Sequence, residues 1–267
     1  MNNSENFENQ CCKYLLKKYG KYADFILKGG MNSSVSDIAV IKNGFICYYI
    51  EVKMNVAQSG QFVLIPDKTS NSFIFSPRNR SKPNHITKYI IEYMNSDFKK
   101  YENAGTSGQI INLNSNLFSE WIVSYYKSKS VKYIISSFSG NYIIFPVEKF
   151  STYFNITAKY RIKKSGSQNI TKKDIDPVKN ILSKIYQDKI SFSEKNKKLF
   201  AYILENVNSL YFSVNSYNYY LSAKENNLYE IRKLSTTRNM NVIFTITSKQ
   251  KQKEDDLLMF EQDLYPE

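Results

Sequence analysis

The stretch Ser36–Lys53, SDIAVIKNGFICYYIEVK, decides the fold because it joins two strand-like apolar runs by a tight turn. The first run begins directly after Asp37, and the second ends on the triplet Glu51-Val52-Lys53. Between the runs stands Asn43-Gly44, a dipeptide that favours a two-residue hairpin turn because both positions tolerate a positive φ. The stretch therefore predicts an antiparallel hairpin whose open end carries two acids and one lysine.

The charged residues at the open end of this hairpin form the first candidate site. Side chains alternate along a strand, so Glu51 and Lys53 project to one side while Val52 packs on the other. Asp37 can lie beside them, and two carboxylates next to one ammonium suit a hard cation such as Mg²⁺, with Asp37 and Glu51 as its ligands. Such a cation would activate a water and screen a phosphate, with Lys53 positioning the reacting groups. The alternative interpretation is a solvated strand end that carries an ion pair.

Net charge indicates the class of partner. Lys and Arg number 37 against 24 Asp and Glu, a formal net charge of +13. Such an excess favours a polyanion, and nucleic acid is the first candidate, although a codon-biased lysine-rich surface would give the same numbers. Residues 254–267 are acidic, so the basic excess is concentrated further inside the chain.

Chain length and apolar pattern indicate the compartment. A chain of 267 residues can bury a core without disulfides, and its three cysteines form no metal-binding C-x-x-C pair. No apolar run approaches the roughly 18 to 20 residues that span a bilayer, and the N-terminus lacks the pattern of a signal peptide. We therefore expect a cytoplasmic protein that does not associate with a membrane.

Helical and strand-like periodicities alternate along the chain, which predicts an α/β protein. Helices are expected at Phe7–Tyr19, Ile86–Tyr101 and Leu117–Tyr126, and a second hairpin around Ser139–Asn141. From about Lys149 onward, two basic strand-like pieces flank a helical segment expected at Pro177–Val207.

Other catalytic chemistries lack the residues that they need. His85 is the only histidine, which excludes histidine-based metal sites and most Ser-His-Asp triads, and its basic loop favours a surface position. No glycine-rich phosphate-binding motif is present. Cys11, Cys12 and Cys47 lie in apolar periodic segments and are interpreted as core residues rather than nucleophiles.

Longer segments resemble a known family. YIEVKMNVAQSGQFVLIPD, YYKSKSVKYII, YIIFPVEKFSTYFNITAKYRIKKSGS and NVIFTI are similar, in this order, to stretches of the HhaI family of type II restriction endonucleases, which are PD-(D/E)xK nucleases. The similarity spans about Phe7–Thr247 with gaps and is lowest between Gln168 and Asn227. At the motif itself, SD stands in place of PD, and Val52 occupies an alanine-like position.

The resemblance implies a PD-(D/E)xK restriction-endonuclease-like α/β fold, in which helices flank a central mixed sheet. Residues 1–267 would form a single nuclease domain, with 1–148 mainly the catalytic core and 149–267 mainly DNA-recognition elements. The implied activity is Mg²⁺-dependent double-strand cleavage at a short GC palindrome, GCGC, that leaves 5′-phosphates. A variant of that sequence or another cut phosphate stays open, because IRKLSTTRNMN is more charged than the family pattern.

The resemblance also implies roles for single residues. The catalytic set would consist of Asp37, Glu51 and Lys53. Glu8, at the edge of the apolar face of the first helix, would support the metal or its water. Gln58 and Gln61 would lie on a helix that lines the active site.

DNA-binding candidates follow from the chemistry of a G·C site, where guanine O6 and N7 accept from Arg or Lys and cytosine N4 donates. The basic pieces of the C-terminal half supply Arg161, Lys163, Lys164, Ser165, Ser167, Gln168, Arg232, Arg238 and Asn239. The loop that carries Arg78 and Arg80 is expected to bind phosphates. Since roughly half or more of protein–DNA contacts go to the backbone, phosphate binding is the alternative for each candidate.

Two other functions stay open at this point. One is a structure-specific nuclease of DNA repair or recombination, and the other is a non-catalytic DNA-binding module in which the acids are structural. The expected partners are double-stranded DNA and a functionally paired cytosine methyltransferase that forms no stable complex with this chain. A palindromic site is compatible with a monomer or a homodimer.

Overall fold

The computed structural model describes residues 3–28, 36–164, 166–205, 207, 209–234 and 238–265. The chain divides into two compact units, unit 1 with residues 1–161 and 240–267, and unit 2 with residues 162–239. The expected division at residue 148 differs from this one, because residues 149–161 and 240–267 pack within unit 1. The roles assigned to the two parts of the chain stay predictions.

The described residues form seven α-helices and sixteen strands. The helices are α1 (Asn3–Tyr19), α2 (His85–Asn95), α3 (Phe98–Glu102), α4 (Ser115–Lys127), α5 (Phe150–Tyr153), α6 (Lys172–Tyr186) and α7 (Glu254–Leu264). The strands are β1 (Asp24–Leu27), β2 (Ile38–Lys42), β3 (Phe45–Val52), β4 (Val56–Asp67), β5 (Ser72–Phe75), β6 (Gln109–Ile110), β7 (Val131–Phe138), β8 (Asn141–Pro146), β9 (Phe154–Lys164), β10 (Ser167–Asn169), β11 (Ile190–Lys195), β12 (Lys198–Ile203), β13 (Tyr211–Val214), β14 (Tyr217–Ala223), β15 (Leu228–Leu234) and β16 (Arg238–Ser248).

The first sheet of unit 1 contains the predicted hairpin of the stretch Ser36–Lys53. Its strand order is β1-β2-β3-β7-β8, with β3 and β7 parallel and the other pairs antiparallel. The β2–β3 turn has positive φ at Asn43 (51°) and Gly44 (80°), as an Asn-Gly hairpin turn requires. The predicted central mixed sheet and both predicted hairpins are confirmed.

Helices cover both faces of this sheet. On one face, α1 and α7 bury Leu15, Phe260 and Leu264 against strand residues such as Ile50. On the other face, a larger core includes Ile134 of β7 and Trp121 of α4. Alternation along β3 sends Ile50 and Val52 to the first face, so Glu51 lies on the side of α4.

The acidic C-terminal segment forms part of this core. Its first turn carries Glu254, Asp255 and Asp256, where negative charge favours a helix N-terminus. Asp256 is buried and accepts a hydrogen bond of 2.6 Å from the Tyr153 hydroxyl. The segment is therefore a packed helix.

The second sheet of unit 1 has the strand order β5-β4-β16-β9-β6. Its inner face packs against α4, where the Trp121 ring lies 5.6 Å from Phe62 and 4.7 Å from Phe244, measured between ring centroids. This packing places β4 directly beside α4, the helix that also faces the first sheet. Among the described residues, no helix has the length and apolarity needed to cross a membrane.

In the described part of unit 2, α6 packs on an antiparallel sheet of strand order β11-β12-β15-β14-β13, with β10 paired to β15. Val178 and Leu182 of α6 pack on Leu199, Leu221 and neighbouring strand residues. The helix predicted to continue to Val207 ends at Tyr186 and is followed by the β11–β12 hairpin. That prediction was wrong because the segment after Tyr186 alternates in polarity and turns at Asn196 and Lys197, both with positive φ.

Candidate active site

The two acids and the lysine of the hairpin come together in the structure. The Asp37 Oδ2 atom accepts a hydrogen bond of 2.8 Å from the backbone N–H of Val52, the residue between Glu51 and Lys53. Lys53 Nζ lies 2.7 Å from Glu51 Oε1, and both side chains are largely buried. The backbone N–H of Lys53 donates to the carbonyl of Ile135, which ties this point to β7. Because the Lys53–Glu51 ion pair is largely buried, it differs from the solvated ion pair that the alternative interpretation expects at a strand end.

Burial and crowding of like charges shape the electrostatics of this cluster. Burial, and then the charge of Glu51, raise the pKa of Asp37 to about 7 against the lowering effect of Lys53. Burial alone would lower the pKa of Lys53, but Glu51, Tyr126 and Asp37 outweigh it and hold the pKa well above its ordinary value. Lys53 therefore stays an ammonium, and the two acids repel each other.

Glu8 of α1 belongs to the same electrostatic environment. Burial raises its pKa, the charge of Lys53 lowers it and the charge of Glu51 raises it. The half-buried Glu8 therefore lies within reach of the charged hairpin end.

The donor set fits a hard divalent cation. Asp37 and Glu51 present carboxylate oxygens to one place, and their mutual repulsion is the condition that a bound cation relieves. Within the described residues, no three His, Cys, Asp or Glu side chains form a metal site on their own. A cation here would have two protein carboxylates and would complete its shell with waters and a phosphate oxygen, as Mg²⁺ does.

Two residues beside Lys53 were not predicted as site residues. The Lys53 ammonium lies 5.5 Å from the centroid of the Tyr126 ring, and the Tyr126 hydroxyl is 2.9 Å from Ser59 Oγ. Tyr126 and Ser59 are both buried. Tyr126 is the last residue of the helix predicted at Leu117–Tyr126, and no local signal in the sequence connects it to Lys53.

The helix expected to carry Gln58 and Gln61 does not exist at that position. Both residues lie on β4, where they are exposed, and Gln58 Nε2 donates a hydrogen bond of 2.9 Å to Gln61 Oε1. The segment is a strand because its apolar residues alternate and pair with β16. The helices close to the charged cluster are α1, through Glu8, and α4, through Tyr126.

The remaining nucleophile candidates lie outside this cluster or inside the core. Cys11 and Cys12 are buried, as predicted, but Cys47 is exposed, so its core assignment was wrong. The start of β3 projects past the core, as the exposed Phe45 also indicates. His85 is exposed and lies 2.9 Å from Glu120 Oε1, which agrees with a surface position.

The basic loop between β5 and α2 is held by one asparagine. Asn79 donates to the carbonyl of Val63 and accepts from its N–H, both at 2.8 Å, which fastens the loop to β4. Arg78 and Arg80 are exposed on either side of this anchor. Asn79 therefore fixes the backbone between two exposed arginines.

β9 carries basic residues on the face away from the core. Burial alternates along the strand, with Ala158 and Tyr160 inside, Lys159 exposed and Arg161 half-buried. Lys159 and Arg161 therefore share the outer face, as expected from alternation, and Lys159 is a basic candidate that the sequence analysis did not name. The side chains of Lys163, Lys164, Arg238 and Asn239, and the whole of Ser165, lie outside the described residues.

Arg232, a predicted DNA-binding residue, makes several hydrogen bonds within unit 2. Its guanidinium donates to Ser167 Oγ (3.1 Å), the Ser167 carbonyl (2.7 Å), Asn169 Oδ1 (2.5 Å) and Glu230 Oε1 (2.7 Å). These contacts hold β10 against β15, so Arg232 positions the segment that contains Ser167 and Gln168. Gln168 is exposed on β10.

The comparisons with known proteins return one kind of match. The chain is similar to HhaI endonuclease, whose structure is known in complex with DNA. The two chains are 39% identical, the match covers 98% of this chain and 99% of that chain, and the TM-score is 0.85. No family model and no curated protein matches the sequence.

Proposed function

The chain belongs to the type II restriction endonucleases, in the family of HhaI, and from this premise we propose that it makes Mg²⁺-dependent double-strand breaks in DNA at GCGC, leaving 5′-phosphates. As a member of this family it is a site-specific deoxyribonuclease, which leaves the non-catalytic module without support. The observation that carries the proposal is the hydrogen bond from Val52 N–H to Asp37, because it brings Asp37 to Glu51 and Lys53.

Asp37 and Glu51 would hold the Mg²⁺ ion, and Glu8 would orient a water beside it. When bound, the ion lowers the pKa of a coordinated water and screens the charge that develops on the phosphate. In the proposed hydrolysis, the attacking water would lose a proton to solvent and its oxygen would form a bond to phosphorus. The bond from phosphorus to the 3′ oxygen would break, and that oxygen would take a proton from solvent, leaving a 5′-phosphate and a 3′-hydroxyl.

Lys53 would contribute a fixed positive charge and hydrogen-bond donors to this step. Because Glu51 holds its pKa well above the ordinary value, Lys53 keeps its proton and is not the base that accepts one from water. An ammonium placed where charge develops on phosphorus stabilises the transition state more than the ground state.

DNA recognition is proposed for the loop between β5 and α2, for β9 and β10, and for the basic segments that follow them in the sequence. Arg78 and Arg80 would bind phosphates from the loop held by Asn79. On β9, Arg161 would face the DNA together with Lys159, and Gln168 would face it from β10. The proposed set is completed by Lys163, Lys164, Ser165, Ser167, Arg238 and Asn239. Guanine O6 and N7 are the acceptors that the arginines and lysines would read at a G·C site.

The biological setting follows from the same proposal. A cytoplasmic nuclease of this specificity requires a cytosine methyltransferase that modifies the same sequence in host DNA, without a stable complex between the two proteins. The palindrome would be cut by a homodimer or by a monomer that nicks each strand in turn.

Plasmid digestion tests the proposal. Wild type, Glu51→Gln and Glu194→Gln are incubated with Mg²⁺ and a plasmid of known sequence, and all ends are mapped by sequencing. Glu194 is a matched control because it also pairs with a lysine, Lys179, at 2.9 Å. We expect wild type and Glu194→Gln to give ends within GCGC and Glu51→Gln to give none.

Two further substrates separate the alternatives. A plasmid methylated on the cytosines of GCGC should resist cleavage, and a branched or nicked duplex without GCGC should stay intact. Ends at another sequence would refute the proposed specificity and keep the enzyme class. Cleavage that follows branches rather than sequence would support the structure-specific nuclease instead.

A further inference from the structure

We propose that Tyr126 is a positioning residue for the reaction: its ring, held by the hydroxyl of Ser59, keeps the Lys53 ammonium in place beside Glu51. The inference rests on the proposed function, because it takes Lys53 as the lysine of the active site. It assigns a role to two residues that carry no catalytic motif.

Lys53 is confined from two sides. Its Nζ atom lies 2.7 Å from Glu51 Oε1 and 5.5 Å from the centroid of the Tyr126 ring, and its side chain is 14% exposed. A cation within about 6 Å of an aromatic face is attracted by the ring, and more strongly where water is excluded. A flexible four-carbon chain held only by Glu51 would keep more freedom than one that also rests against a ring.

Tyr126 is itself held at both ends of its side chain. It lies in the last turn of α4, and its ring packs against Phe150 at 6.2 Å between centroids. Its hydroxyl is 2.9 Å from Ser59 Oγ in a buried pair. The position of the Tyr126 ring is therefore fixed by its own helix, α4, and by the contact of its hydroxyl with β4.

Ser59 points inward because of an irregularity in β4. Gln61 pairs with Ile243 and Gln58 with Thr245, so two residues of β4, Ser59 and Gly60, oppose a single residue of β16. Bulges of this kind re-aim a side chain. Here the bulge leaves Gln58 and Gln61 on the same exposed face and turns the Ser59 hydroxyl towards Tyr126.

Gly60 makes the bulge possible. Its φ is +110°, and a Cβ atom built at this position would lie 2.7 Å from the Trp121 ring. Only glycine adopts this positive φ without strain and leaves room for the Trp121 ring. The packing of β4 on α4 is therefore adapted to place one serine hydroxyl at the tyrosine that faces Lys53.

A double-mutant cycle distinguishes positioning from plain packing. Tyr126→Phe leaves the buried Ser59 hydroxyl without this partner, and Ser59→Ala leaves the Tyr126 hydroxyl with Lys53 alone, whereas the double variant removes both hydroxyls. A purely structural pair predicts that the double variant recovers both stability and activity. A positioning role predicts that stability recovers while the cleavage rate stays low, because the ring is no longer held.

Single-turnover cleavage with saturating enzyme is the first measurement. We expect Tyr126→Phe and the double variant to cleave about 10- to 100-fold more slowly than wild type, with DNA affinity within about twofold. Tyr101→Phe is the matched control, since this buried tyrosine donates one hydrogen bond of 3.2 Å to Ile110 at a different place. A rate near wild type in Tyr126→Phe, or an equal loss in Tyr101→Phe, would overturn the inference.

Acylation of lysines, mapped by mass spectrometry, decides the same question without DNA. We expect Lys53 to react several-fold faster in Tyr126→Phe than in wild type, while the exposed Lys68 reacts equally in both. Equal Lys53 reactivity would refute the positioning role. If wild type failed to cut DNA, the proposed function would fail, and the acylation ratio would still report on Tyr126.

Discussion

Asp37 and Val52 are joined by a hydrogen bond of 2.8 Å from the Val52 N–H to the Asp37 carboxylate. The bond connects the residue before β2 to the residue between Glu51 and Lys53. The first acid of the proposed active site is thus held by the backbone of the strand that supplies the other two groups. The hairpin itself brings the three side chains together.

The pH dependence of stability should report the raised pKa of Asp37. Its pKa of about 7 in the folded chain exceeds its unfolded value, so the folded state binds more protons between roughly pH 4 and pH 7. Stability is therefore higher below this window and falls as pH rises through it. In EDTA, we expect wild type to lose on the order of 2 to 4 kcal/mol of unfolding free energy from this group across the window.

Urea unfolding at a series of pH values checks this expectation. Asp37→Asn keeps an acceptor for Val52 N–H but removes the charge, so its stability should decline less as pH rises. The exposed Asp188 supplies the control variant Asp188→Asn, which should follow wild type. If the unfolding free energies of wild type and Asp37→Asn changed with pH in parallel, the pKa of Asp37 would not be raised by burial and by Glu51 in the folded chain.

Replacement of Lys53 by methionine should abolish most activity while sparing DNA binding. The change keeps an unbranched side chain, one atom shorter, and removes the charge. Loss of one well-placed donor lowers a rate by about 10² to 10³. Single-turnover cleavage and binding to the same duplex in Ca²⁺ are the two measurements. Lys68→Met, at an exposed lysine, should leave both unchanged. Equal losses of binding and cleavage would contradict the assigned role.

Gly60→Ala should destabilise unit 1. The substitution forces alanine into φ +110° and brings its Cβ to 2.7 Å from the Trp121 ring, a cost of about 2 to 4 kcal/mol. Gly105→Ala is the control, because a Cβ there meets no atom within 4 Å. The denaturant midpoint of Gly60→Ala should be clearly lower than that of Gly105→Ala. Similar midpoints would mean that the backbone of β4 accommodates the Cβ atom without loss of unfolding free energy.

Salt dependence of DNA binding should separate Arg232 from the arginines of the basic loop. Arg232 is engaged with Ser167, Asn169 and Glu230, so Arg232→Gln should lower the stability of unit 2 and leave the salt slope unchanged. Arg78→Gln should reduce the slope of log affinity against log salt by about 1, with unchanged stability. A reduced slope in Arg232→Gln would instead assign it a phosphate contact.

The predictions that were confirmed rest on local chemistry. The Asn43-Gly44 turn, the alternation around Glu51 and Lys53, and the periodicity of α1 and α4 are each encoded within a few neighbouring residues. A turn dipeptide and a period of two or 3.6 residues need no knowledge of distant contacts. Family similarity then extended these local signals to the mixed sheet as a whole.

The predictions that were wrong depended on contacts between distant residues. Gln58 and Gln61 lie on a strand because β4 pairs with β16, far along the chain. Cys47 is exposed because the hairpin projects past a core whose extent no local pattern defines. The segment after Tyr186 forms strands because it completes the sheet beside β15.

By itself, the sequence determined the β2–β3 hairpin and indicated that Asp37, Glu51 and Lys53 lie together at its open end. Turn propensity and side-chain alternation are sufficient for this, because both act between neighbouring residues. The tertiary structure alone decided what surrounds them. Ser59 and Tyr126 are 67 residues apart, and Arg232 and Ser167 are 65 apart. Contacts at such separations arise only when strands and helices pack, since they depend on where two backbones meet rather than on either local pattern.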